Sequence, residues 1–133
     1  MNPKGITNLE MLRSSMEPIL NEGVYVFTSV KDISNIPRGL AICEIKEKEG
    51  ITLVLEKSAA ERLNLAFTFT AAWITLNVHS ALEAVGLTAA FATALGEADI
   101  SCNVMAGYYH DHIFVAEKDA QKAMQVLIKM TKQ

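Results

Sequence analysis

Between residues 73 and 79, apolar Ile74, Leu76 and Val78 alternate with Trp73, Thr75, Asn77 and His79, the period of a strand with two different faces. From residue 87 the period lengthens. Leu87, Phe91 and Leu95, flanked by Ala90, Ala94 and Ala98, recur at helical spacing and predict a small-residue helix with one stripe flat on a sheet. Ile100, Cys102 and Val104 alternate again, residues 106–109 turn the chain, and Ile113 and Val115 mark a further strand. Residues 119–130 return to helical spacing along Ala120, Ala123, Met124 and Leu127. The second half therefore reads β-α-β-β-α.

The first half is less regular. Thr7 and Glu10 have capping-box spacing, which predicts a short helix to about residue 16, with Pro18 marking its end. Residues 21–23 read as a turn and 24–30 as a β-branched and aromatic strand. Residues 31–39, with Pro37 and Gly39, read as a loop, and 41–47 with 51–55 as a hairpin across a charged, Gly-ended connection. Ser58 and Glu61 repeat the capping-box spacing, Asn64 can end the brief helix they start, and 65–70 is extended again. The order resembles β-α-β-β-α-β with its first helix reduced to a loop. The second half is one strand short, and an open sheet edge is a liability. Pairing by residues 24–30, or by the long run 65–78, across the two halves is the expected remedy. The domain expectation is a degenerate half with an N-terminal helix over 1–70 and a second half over 71–133, with no Ser/Gly-rich linker between them.

Composition narrows the classes. A chain of 133 residues, 50% apolar and 20% charged, has the make-up of a compact folded protein. Its net charge of -3 and pI near 5.6 offer no basic footprint for nucleic acid. The N-terminus lacks the apolar core of a signal peptide, and no apolar run approaches the roughly 20 residues that span a bilayer. A cytoplasmic protein without membrane or nucleic-acid partners is expected. Cys43 and Cys102 both fall in alternating strand patterns without a CxxC pair, so reduced, packed thiols are favoured.

One conspicuous cluster is His110-Asp111-His112. Residues two apart on a strand share a face, so both imidazoles could meet one metal ion, with His79 or a second subunit completing the site. The same three residues could instead bond backbone groups in a polar turn, or contact a small ligand. A hydrolase or isomerase with His110 and Asp111 as base and orienter lacks an evident nucleophile or oxyanion donor set. No G-x-S-x-G, Gly-rich phosphate loop or H-E-x-x-H is present, and the charged residues 44–49 read as a solvated hairpin. No cofactor and no resident metal are expected.

The stretches ITLNVHSALEAVGLTAAFATAL and ADISCNVMAGYYHDHIFVAEKDAQKAMQVL resemble the second module of small bacterial paired ACT-domain proteins, related to the regulatory ACT modules of aspartokinases. EKEGITLVLEK resembles the first module of the same family. The resemblance covers about residues 23–127 and is more specific in the second half. It implies an α+β protein of two ferredoxin-like halves, with antiparallel sheets and helices on one face. It further implies a non-catalytic regulatory module that binds a small molecule, usually an amino acid, where two ACT modules meet. Carried over position by position, the ligand lies against residues 79–87 and against Asn103 and Val104.

Those positions have matching chemistry. Free amides near Val85, Gly86 and Leu87, at the positive end of a helix, suit a carboxylate, and Gly86 allows close approach to the backbone. The side-chain oxygen of Asn103 can accept from an ammonium, and His79 and Ser80 are polar groups at a strand end. The expected ligand contacts are thus His79, Ser80, Val85, Gly86, Leu87, Asn103, Val104, His110 and His112. Each has a plainer reading: Gly86 as a packing glycine, Ser80 as a cap, Asn103 as a bond to a neighbouring turn. A homodimer and a separate effector protein complete the expectation, since the chain has no output domain of its own. The alternatives are a transition-metal-binding protein using His79, His110 and His112, or a scaffold that has lost its ligand.

Overall fold

The computed structural model describes residues 9–78 and 86–132. Chain order is α1 (Leu9–Ser15), β1 (Glu17–Leu20), β2 (Tyr25–Val30), β3 (Cys43–Lys46), β4 (Ile51–Glu56), α2 (Lys57–Arg62), β5 (Thr70–Asn77), α3 (Leu87–Glu97), β6 (Asn103–Ala106), β7 (Asp111–Ala116) and α4 (Ala120–Thr131), with a 3-10 turn at Glu117–Asp119 before α4. Two compact units result: Gly23–Ala71, and Met1–Glu22 together with Ala72–Gln133.

In the unit Gly23–Ala71, β2 runs antiparallel to β4 from Tyr25↔Glu56 to Val30↔Ile51, and β3 lies outside β4 from Cys43↔Val54 to Lys46↔Ile51. The first residues of β5 close the other side, with Tyr25 opposite Ala71 and Val26 opposite Thr70. The buried core is Val26, Leu53, Leu55, Ala59 and Ala60. Ile33, Ile36, Leu40 and Ala41 from the segment before β3 pack on it, taking the place of the helix that the βαββαβ order would put there. Pro37 and Gly39 keep that segment out of a helix, and successive turns satisfy its backbone: Asp32 Oδ1 accepts from Ser34 N at 2.9 Å, and Ile33 O accepts from Ile36 N at 2.9 Å. Ser58 does not cap α2, which already begins at Lys57 after an extended Glu56. Asn64, at φ 54°, does end it. Residues 65–69 form an irregular connection and not a strand, tied to β2 where Thr28 Oγ1 donates to Ala66 O at 2.6 Å.

In the other unit, β7 neighbours both β5 and β6, and β6 pairs antiparallel with β7 from Asn103↔Phe114 to Ala106↔Asp111. The strand missing from this half comes from the N-terminus. Glu17, Pro18, Ile19 and Leu20 stand opposite Asn77, Leu76, Thr75 and Ile74 in an antiparallel ladder, so Pro18 is a strand residue and not merely a helix stop. Alternate residues of β5 and β7 (Ala72, Ile74, Leu76, Ile113, Val115) face Phe91 and Leu95 of α3 and Ala123, Leu127 and Met130 of α4 in one buried cluster. Burial of each large apolar side chain contributes roughly 1.5–3 kcal/mol, so this layer of two helices on one sheet face is the main stabilising contact of the unit. Both units have the mixed, antiparallel ferredoxin-like design.

Candidate functional site

His79, Ser80 and Val85 lie outside the described residues; six of the expected contacts remain. Gly86 takes φ 104°, a left-handed value that a residue with a Cβ rarely adopts, and directly precedes α3. Among the described residues no side chain caps this helix, and its first backbone bond runs from Ala90 N to Gly86 O at 2.9 Å. Gly86 has no side chain to offer the amides of the first turn, and among the described residues none caps them. Leu87 turns its own side chain into the core, so only its backbone can serve a ligand. Gly86 also begins a shallow hollow of about 390 Å³ along α3, lined by Ala89, Ala90, Thr93 and Met130, which none of the other five described contacts borders.

Asn103 opens β6 on its exposed side. Its Nδ2 donates to Phe114 O at 3.2 Å, which leaves the side-chain oxygen available as an acceptor. Val104, by contrast, packs against the core cluster. In the register of β6 on β7, Asn103 faces Phe114 and Met105 faces His112, so Asn103 and His112 stand on the same sheet face, two steps apart.

His112 is held from several sides. Trp73 Nε1 donates to its Nδ1 at 3.1 Å, Thr75 Oγ1 lies 3.2 Å from the same nitrogen, and Asn21 Nδ2 donates to Thr75 Oγ1 at 2.9 Å. The Trp73 ring also stacks on Phe114, centroids 6.2 Å apart and planes 18° from parallel. His110 Nδ1 lies 3.4 Å from Val78 O, which brings the turn before β7 to the end of β5. Burial lowers the pKa of His112, and His110 adds to that while Asp111 partly offsets it. Burial raises the Asp111 carboxyl, with His112 and His110 pulling the other way. Gly107 donates to His110 O at 2.9 Å, and a Cβ on it would stand 3.1 Å from His112 Nε2.

Sequence reasoning missed Trp73, Thr75, Asn21 and Gly107. Trp73 and Thr75 sit on β5 at outward positions that it did not connect to His112, Asn21 follows the end of β1, and Gly107 read only as part of a turn. Among the described residues, no three His, Cys, Asp or Glu side chains gather as a metal site would need, and both cysteines are free. Among the same residues, no helix is long and apolar enough to cross a membrane.

Residues 4–72 match one model of the ACT domain and residues 68–129 a second. No curated protein matches the chain. Among solved structures, a protein of unknown function from Vibrio cholerae, called a possible transport protein, is 50% identical, with 92% of this chain and 95% of that one covered and a TM-score of 0.83. The ligand-free regulatory subunit of aspartate kinase from Thermus thermophilus shares the fold at 8% identity and a TM-score of 0.57, over 89% of this chain and 98% of that one. Aspartokinase III of E. coli, solved with aspartate and ADP, does so at 13% identity and a TM-score of 0.63 over 87% of this chain, which spans 33% of the enzyme.

Proposed function

The chain belongs to the ACT-domain family, with two such domains in tandem, and from that premise we propose that it is a non-catalytic regulatory module that binds an α-amino acid. The observation that supports this most is the uncapped start of α3. Gly86, at φ 104°, supplies no side-chain cap to the first-turn amides, and the positive helix end favours a carboxylate there. On this reading the ligand meets the backbone at Val85, Gly86 and Leu87 and the side chains of His79, Ser80, Asn103, His110 and His112, with Val104 shaping the wall. Asn103 Oδ1, left over by the bond to Phe114, accepts from the ammonium.

A module of this kind acts by linkage. The ligand favours one arrangement of the protein and its effector, and the regulatory effect is bounded by the difference in its affinity for the two arrangements. We place it in the cytoplasm as a homodimer that hands its state to a separate protein, with residues 1–70 and 71–133 as the two halves of the inherited plan. A thermal-shift screen of the twenty amino acids, followed by calorimetry, tests the reading. At least one should raise the melting temperature saturably, and Asn103→Ala should weaken its binding without unfolding the free protein. A screen in which no amino acid binds at millimolar concentration would refute it.

A further inference from the structure

An indole N–H only donates, so His112 Nδ1, which receives it, must offer a lone pair. Thr75 fits the same direction. Its oxygen already accepts from Asn21, and its own proton is free to turn toward His112. The single ring proton of neutral His112 therefore sits on Nε2. A backbone carbonyl only accepts, so the contact with Val78 O assigns the opposite tautomer to His110, with the proton on Nδ1 and the lone pair on Nε2. Among the described residues neither Nε2 has a hydrogen-bond partner. Beside the His112 ring stands Gly107, where any side chain would crowd Nε2.

Two imidazoles two residues apart thus present opposite hydrogen-bonding polarity. We propose, resting on the amino-acid reading above, that His112 Nε2–H donates to the carboxylate of the bound amino acid and His110 Nε2 accepts from its ammonium. His110 directly precedes β7 and His112 is the second residue of that strand; residues two apart along a chain lie up to roughly 7 Å apart, a span that an amino-acid head group with a hydrogen bond at each end fills. The same tautomers work against a metal bridging this pair. Coordination through His112 Nε2 would require a proton on Nδ1, directly opposed to the Trp73 N–H.

Long-range nitrogen–proton NMR on the unaltered protein at neutral pH reads the tautomers without any ligand. His112 should carry its proton on Nε2 and His110 on Nδ1; a His112 proton on Nδ1 overturns the assignment. Calorimetry with whichever of the twenty amino acids binds should then show about a tenfold or greater loss of affinity in both His112→Phe and Gly107→Ala, the cost of one lost hydrogen bond in a partly buried site. Full affinity in a folded His112→Phe removes this pair and leaves the amino-acid reading standing, whereas an unaltered protein that binds no amino acid removes both. Zinc titrated alone should show no binding that His112→Phe abolishes; if it does, the donor–acceptor assignment is wrong.

Discussion

Leu20 stands opposite Ile74 at the end of the ladder that β1 forms on β5, some fifty residues later in sequence, so the N-terminal segment completes the sheet of the C-terminal half. Asn77 Nδ2 donating to Glu17 Oε1 at 3.3 Å marks the other end of the ladder. Met16, just before β1, is 3% exposed and belongs to the same buried cluster as Phe91 and Leu127.

Removal of residues 1–22 should therefore leave the edge of β5 unpaired and expose apolar surface that Met16 and Leu20 cover. We expect the shortened chain to self-associate, with rapid hydrogen exchange at residues 74–77; size-exclusion chromatography and exchange mass spectrometry read both. A monodisperse product with the same protected amides would show that β1 is dispensable. In the full chain, Met16→Ala should cost roughly 2–4 kcal/mol in urea unfolding.

Phe91 and Leu127 place the centre of stability between α3 and α4, since both are fully buried. Phe91→Ala should cost about 3–5 kcal/mol, against less than about 0.5 kcal/mol for alanine at exposed Ile128. Chemical denaturation of the two variants decides the matter, and equal losses would contradict the packing described.

Asp99 follows α3 at φ 62°. Ile100 N donates to Leu95 O at 2.9 Å and Asp99 N to Gly96 O at 2.9 Å, the bonding of a Schellman ending whose left-handed position favours glycine. A carboxylate here also faces the negative end of the helix. Asp99→Gly should raise stability by about 1 kcal/mol, which is a few degrees in melting temperature for a chain of this size. A lowered melting temperature would mean that the aspartate makes compensating contacts.

The second half was legible because its periods are clean. The alternation from Trp73 to Asn77, the helical spacing of Leu87, Phe91 and Leu95, and the seam through Ala123 and Leu127 all became the expected elements, since each buries one face. The strand at Glu17–Leu20 was not legible. It has four residues, carries a proline that only an edge strand tolerates, and owes its extended form to a partner far away in sequence. Ser58 misled because capping-box spacing fixes no register when Glu56 is already extended and Lys57 opens the helix. The histidine pair stood out in the sequence. The tautomers did not, because they are set by Trp73, Thr75 and Val78, brought close only by the sheet.

Asp111 and His112 make stability depend on pH in opposite senses. The folded pKa of His112 is depressed below the ordinary 6.5 by burial first and by His110 second, so the unfolded chain takes up a proton that the folded protein resists. Stability is then complete above pH 6.5 and is lost as the pH falls through that value toward the folded one. For Asp111 burial raises the folded pKa above the ordinary 3.8. Ionisation is costlier in the folded protein, and stability declines as the pH rises from 3.8 through the folded value. Asp111→Asn should therefore raise the melting temperature at pH 7, and the gain should vanish near pH 3, where the carboxyl is protonated in both states. In the same scans, Asp111→Asn should still lose stability between about pH 7 and pH 5, because His112 remains. Melting curves of the unaltered protein and the variant at intervals from pH 3 to pH 8 check both slopes. A gain independent of pH would trace the effect to packing and not to the buried charge.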